Sequence, residues 1–226
     1  MADGFPGGGR VSQPTILVSG RPRKPLRRVP LRLFGERARP GDGVVIATTR
    51  DDPAFVVRRL TDGVDAFSRD RIAMVDCTTK QRSSARRTGD RRWEIPSPVA
   101  FGDATQAVDE AIAFLRNADV ERVHFLFDTL TTQFRLADAD DVLKHTHDLA
   151  MTVGSESGLG VFTVEHAVAT GRESERLKHF FDVHVEVRRS GDATEVRWAG
   201  LVGRSDGWVA LADSGIRFDA LGQGLG

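Results

Sequence analysis

Short runs of β-branched and bulky apolar residues alternate along the chain with longer stretches whose apolar positions recur every three or four residues. "TILVSG" (15–20), "VVIATT" (44–49), "RIAMVDCTT" (71–79), "RVHFLFDTL" (122–130) and "LGVFTVE" (159–165) read as strands. Continuous apolar runs of that length are typical of strands buried on both faces. Between them the helical period dominates. "PLRLFGERA" (30–38) predicts a short helix with Pro30 at its first position. In "DDPAFVVRRLTDG" Asp52 caps a helix, Pro53 starts it and Gly63 ends it. "DATQAVDEAIAFLRNA" (103–118) brings Ala107, Ile112 and Leu115 toward one face behind a capping Asp103, and residues 138–158 do the same with Val142, Leu143, Leu149 and Val153. "ESERLKHFFD" (173–182) predicts a last short helix. "VHVEVRR" and "EVRWAGL", separated by "SGDAT", alternate and predict a hairpin.

Strands and helices alternate through residue 165, and an antiparallel hairpin follows. That order predicts a three-layer α/β domain with a mainly parallel, doubly wound sheet and a C-terminal antiparallel hairpin along one edge. Residues 15–211 are assigned to it as one domain. The Gly- and Pro-rich residues 1–14 are expected to form a disordered tail, and residues 212–226 a C-terminal tail. Residues 80–98, with many arginines and no periodicity, are expected to form a long mobile loop.

Composition narrows the class. Apolar residues make up 40% and charged residues 28% of the 226, ordinary values for a globular protein. No run approaches the eighteen or so apolar residues a membrane helix needs, and the N-terminus lacks a signal-peptide pattern. Cys77 is the one cysteine, which excludes an internal disulfide. A cytoplasmic protein with no membrane partner is expected.

The net charge of zero hides an asymmetry. Residues 1–41 hold nine Arg and Lys, among them Arg21, Arg23, Lys24, Arg27 and Arg28, against only Asp3 and Glu36. A second basic knot comprises Lys80, Arg82, Arg86, Arg87, Arg91 and Arg92. Arginine's planar fork suits phosphates and carboxylates, so both knots are candidate contacts for an anion or a nucleic acid. A solvated surface of mutually balancing charge is the alternative.

Ligands of doubly wound sheets bind beyond the carboxyl ends of the strands. Those ends here are Ser19–Gly20, Thr49–Asp52, Asp128–Thr132 and Glu165–His166. In "RVHFLFDTLTTQF" a bulky apolar run ends in Asp128 and Thr129. In nucleotide-hydrolysing P-loop proteins an aspartate so placed holds magnesium; a turn or capping aspartate is the plainer reading. With "TILVSG", "GDGVVIATTRDDPAFVVRRL", "RVHFLFDTLTTQF" and "GLGVFTVEHAVATGRESERLKHFFDVHVEVRRSGDATEVRWAGLVG" in this order, the chain resembles the RecA-like ATPase superfamily and, within it, the KaiC-like branch. The resemblance spans roughly residues 15–210.

It also shows where the chain departs from the family. The phosphate loop G-x-x-x-x-G-K-[ST] needs glycines for backbone approach, a lysine for the outer phosphates and a hydroxyl for magnesium. From Gly20 the chain reads "GRPRKPLRR", with no second glycine, no Gly-Lys pair and Lys24 out of register. Pro22 and Pro25 remove two N–H donors. After the second strand, where the KaiC-like family pairs two acidic residues, stand Arg50 and Asp51. Gly20, Lys24, Asp51, Asp128 and Thr129 thus mark a degenerate nucleotide site, with no catalytic set, no metal site and no cofactor implied.

Other chemistries are weaker. His145 and His147, two apart on a helix, point in different directions, and His124 within a strand reads as a core or edge histidine. Cys77 lacks a recognisable base. "GSESG" (154–158) follows a helix instead of a strand, the reverse of a nucleophile elbow. The expectation is a non-catalytic RecA/KaiC-like pseudo-ATPase acting through protein contacts, with itself or with a RecA/KaiC-like paralogue. The alternatives are an accessory DNA-binding subunit or residual nucleotide binding through a nonstandard loop.

Overall fold

The computed structural model describes residues 14–21, 23–78, 86–89, 91–166, 171–201 and 203–211, with the side chains of residues 23 and 86 set aside. The tails expected at 1–14 and 212–226 lie outside these residues except for Pro14, which is buried and whose carbonyl accepts from Gly160 N at 3.3 Å.

Strand β1 (Thr15–Gly20) leads into two short helices, α1 (Arg23–Leu26) and α2 (Arg28–Arg37). Strand β2 (Gly43–Thr48), helix α3 (Pro53–Gly63) and strand β3 (Ile72–Asp76) follow. Next come β4 (Arg86–Arg87), β5 (Arg92–Glu94), α4 (Phe101–Asn117) and β6 (Val123–Asp128). Then α5 (Leu130–Leu136), α6 (Ala139–Gly154), β7 (Gly160–Glu165) and α7 (Gly171–Lys178) lead to the antiparallel pair β8 (Val183–Ser190) and β9 (Ala193–Gly200). Two-residue strands β10 (Gly203–Arg204) and β11 (Val209–Ala210) both pair with β9.

All strands join one sheet in the order β10-β9-β8-β1-β7-β6-β2-β3-β5-β4, with β11 beside β9. From β8 to β5 every pair is parallel. The fold is the expected three-layer α/β arrangement, and the hairpin extends the β1 side of the sheet.

Period-two alternation sorts each strand between two cores. Val45, Ala47, Phe125, Phe127 and Phe162 pack under α4, α5 and α6. Val44, Ile46, Ile16, Val18 and Val161 pack under α1, α2 and α3 with Leu33, Phe34, Val56 and Leu60. Among the described residues no helix is long and apolar enough to cross a membrane.

The differences from expectation are local. Helix α2 starts at Arg28, so Pro30 is its third residue; the preceding "RKPL" is itself helical. Asp52 caps α3 as expected, accepting from Phe55 N. Asp103 instead lies in the first turn of α4, where its charge complements the helix dipole; Ala100 holds the cap position without a side-chain bond. β6 stops at Asp128 and Thr129 caps α5, a helix the apolar run concealed. Helix α6 ends at Gly154, four residues earlier than expected. The expected loop at 80–98 contains β4 and β5, and Trp93 and Ile95 are buried beside β3. Two- and three-residue strands are too short to leave a period in the sequence.

Candidate functional site

Because β1, β7, β6 and β2 are neighbours in the sheet, the four strand ends singled out in the sequence stand side by side. Threonines tie them together. Thr49 Oγ1 donates to the Thr129 carbonyl at 2.6 Å, and Thr129 Oγ1 donates to the Thr163 carbonyl at 2.8 Å. Thr131 Oγ1 accepts from Glu165 N at 2.9 Å. The hydroxyl of Thr129 is thus engaged in joining β6 to β7 and in capping α5.

Gly20 has a structural reason of its own. A Cβ there would stand 2.1 Å from the Val187 carbonyl of β8, so the strand pairing demands glycine. Only Arg21 and Pro22 separate β1 from α1. Lys24, on α1, is exposed.

The carboxylates at this edge face arginines. Asp51 pairs with Arg27, and Arg59 Nη1 stands 3.9 Å from the same carboxylate. Arg59 Nη2 donates to Asp128 Oδ2 at 3.3 Å. Arg50 Nη1 donates to Glu165 Oε1 at 2.6 Å, with Arg135 Nη2 at 3.7 Å from its other oxygen. Asp51, Asp128 and Glu165 are therefore met by Arg27, Arg59, Arg50 and Arg135. Yet Arg27 Nε, Arg50 Nε, Arg59 Nε and Arg59 Nη1 are buried without a hydrogen-bond partner among the described residues. A buried donor so placed costs desolvation that nothing returns.

Arg59 was not among the sequence candidates, and Glu165 was named there only as a strand end. Arg59 carried a signal: with the buried Val56 and Leu60 it shares the i, i+3, i+4 stripe. An arginine on an apolar stripe calls for a buried partner. The partner itself, 69 residues away, is invisible in the spacing.

A second polar cluster closes the edge. Ser19 Oγ stands 2.8 Å from His166 Nε2 and 2.7 Å from His184 Nε2, joining β1, β7 and β8. Burial pushes His184 down to about 4, against the opposing charge of Glu186, and burial also lowers His166. Elsewhere, burial pushes the Cys77 thiol up to about 12, which leaves it an inert core group. His124 is a buried core residue, as its place in a strand suggested. Among the described residues no three His, Cys, Asp or Glu side chains are placed to share a metal ion.

The two basic knots do not meet. Five strand spacings of about 4.8 Å, roughly 24 Å, separate β1 from β5. In the second knot the Arg87 guanidinium lies 5.0 Å from the Trp93 ring and 4.9 Å from Phe114. Arg92 pairs with Asp76 at 2.7 Å and with Glu94 at 3.4 Å, while Arg91 is exposed. In the first, Arg27 turns inward to Asp51, whereas Arg21 and Arg28 are exposed. Arg82, and the side chains of Arg23 and Arg86, lie outside the described residues.

Residues 14–187 match the model of a family of unknown function, DUF7504. The chain belongs to that family. No curated protein matches it. Among solved structures it is similar to uncharacterized protein PH0321 from Pyrococcus horikoshii, crystallised in complex with an unknown peptide. That likeness has 11% identity and a TM-score of 0.61, and it covers 84% of each chain. It is also similar to the KaiC-like protein PH0186 from Pyrococcus horikoshii OT3, at 10% identity and a TM-score of 0.50, over 83% of this chain and 77% of that one. At such identities the likeness concerns the fold, and there it agrees with the RecA/KaiC resemblance read from the sequence.

Proposed function

We propose that this DUF7504 chain is a non-catalytic, KaiC/RecA-like pseudo-ATPase that acts through protein contacts. One observation carries the reading. The edge where the resemblance puts a nucleotide is filled by the chain's own ion pairs, Arg27 with Asp51 and Arg59 with Asp128. An incoming triphosphate would have to break both pairs, and it would meet neither a glycine loop nor a Gly-Lys-Ser/Thr sequence in return. An aspartate held by an arginine is a poor magnesium ligand, because the cation's place is already taken. The peptide in the PH0321 crystal supports protein contact as a use of this fold.

Titration calorimetry with ATP and magnesium checks the first half: no heat is expected, and saturable heat overturns it. Native size analysis, of the chain alone and mixed with RecA/KaiC-like paralogues from its host, checks the second. An assembly is expected, and a strict monomer throughout overturns it.

A further inference from the structure

Helices α2 and α3 pack beside each other where Leu31 meets Gly63; a Cβ on that glycine would lie 3.2 Å from Leu31 Cδ1. Along this seam runs a groove in two joined hollows. One, of about 540 Å³, is lined by Lys24, Arg27, Arg28, Leu31, Phe55 and Arg59. The other, of about 370 Å³, shares Leu31, Phe55 and Arg59 and adds Arg58 and Asp62. Its floor is apolar, and Phe55 is 38% exposed there, one of few large apolar side chains so placed.

The rim is one-sided in charge. Lys24, Arg27, Arg28, Arg58 and Arg59 face a single carboxylate, Asp62, across the two hollows. Arg27 and Arg59 are engaged at the inner end with Asp51 and Asp128. Lys24, Arg28 and Arg58 have no carboxylate partner among the described residues.

We propose that this groove is the docking site for an acidic segment of a protein partner, with an apolar side chain on the Leu31–Phe55 floor and carboxylates on Lys24, Arg28 and Arg58. The proposal rests on the protein-contact reading above and names the partner's chemistry. An apolar floor inside a charged rim is the pattern of amphipathic peptide recognition: the floor supplies desolvation and the rim sets orientation. A nucleic acid fits less well: Phe55 is the one aromatic residue lining the two hollows, so successive bases would find no row of rings to stack on.

The test is fluorescence anisotropy with the full chain and a short labelled peptide in which Asp residues flank a Leu and a Phe. Saturable binding is expected, weakened about tenfold in the Lys24→Glu/Arg28→Glu variant and by a similar factor in Phe55→Ala. A control peptide with Ser in place of Leu and Phe should also bind about tenfold more weakly. These side chains are exposed, and circular dichroism identical to the parent establishes that the variants fold. Peptide binding unchanged by both variants overturns the groove but leaves the protein-contact reading standing. So does absence of peptide binding by a chain that still assembles in native size analysis. A single-stranded oligonucleotide that binds more tightly than the peptide and loses affinity in the same variants overturns it in favour of nucleic acid.

Discussion

The sheet carries a buried aspartate at each end, and the two are treated differently. At the amino end of β2, Asp42 accepts from Arg39 N at 2.8 Å, His124 Nε2 at 3.0 Å, and Arg122 Nε and Nη2 at 3.0 and 2.8 Å. Leu159 N donates to His124 Nδ1 at 3.0 Å, so the tautomer that donates to Asp42 is set. Burial pushes this carboxyl up, but the bonds from His124 and Arg39 and the nearby charge of Arg122 hold it below the usual range. At the carboxyl end Asp128 accepts at longer range, from Arg59 Nη2 at 3.3 Å and Thr163 Oγ1 at 3.5 Å, and Arg59 Nε and Nη1 find no hydrogen-bond partner among the described residues. The first arrangement is complete and works as a latch between β2 and β6. The second neutralises charge through longer contacts and leaves donors of its arginine unbonded.

The largest expected effect is at the latch. Asp42→Ala leaves His124, Arg122 and the Arg39 amide without their acceptor, and should cost about 4 kcal/mol in urea unfolding. A loss below about 1 kcal/mol would erase the distinction between the two ends.

Acid should separate the ends next. His184 titrates near 4 in the fold against an ordinary 6.5, so as pH falls below 6.5 the unfolded chain takes up a proton the folded chain refuses. The stability that His184 contributes is therefore full above 6.5 and declines between 6.5 and 4, by up to about 3 kcal/mol. Asp42 works in the other window: its contribution is present above its ordinary 3.8 and is lost as pH falls through its lower folded value. Hydrogen exchange should show β1–β8 amides losing protection before those around Asp42. Simultaneous loss would break the comparison.

The smallest effect belongs to the carboxyl-end pair. Arg59→Met alone should cost about 2 kcal/mol by leaving Asp128 buried without its cation. Arg59→Met with Asp128→Asn should cost less than about 1 kcal/mol. Additive costs in a double-mutant cycle would mean that Arg59 and Asp128 are not coupled, and would remove this pair from the comparison.

Much of this molecule follows from local rules that a sequence displays. The β-branched runs set the parallel strands, Asp52 and Pro53 set the start of α3, and "GRPRKPLRR" lacks the G-x-x-x-x-G-K-[ST] pattern, because backbone period, capping and N–H supply act between near neighbours. Even the half-buried state of Arg59 is written in its place beside Val56 and Leu60. Three things were settled only by tertiary structure. The strand order β1-β7-β6-β2 brings Asp51, Asp128 and Glu165 to one edge. The nearness of β8 makes Gly20 obligatory. The seam between α2 and α3 assembles a basic, apolar-floored groove from residues of α1, α2 and α3. Each depends on which elements become neighbours, and a buried charge selects its partner from whatever the packed sheet places within reach, at separations on which sequence spacing is silent.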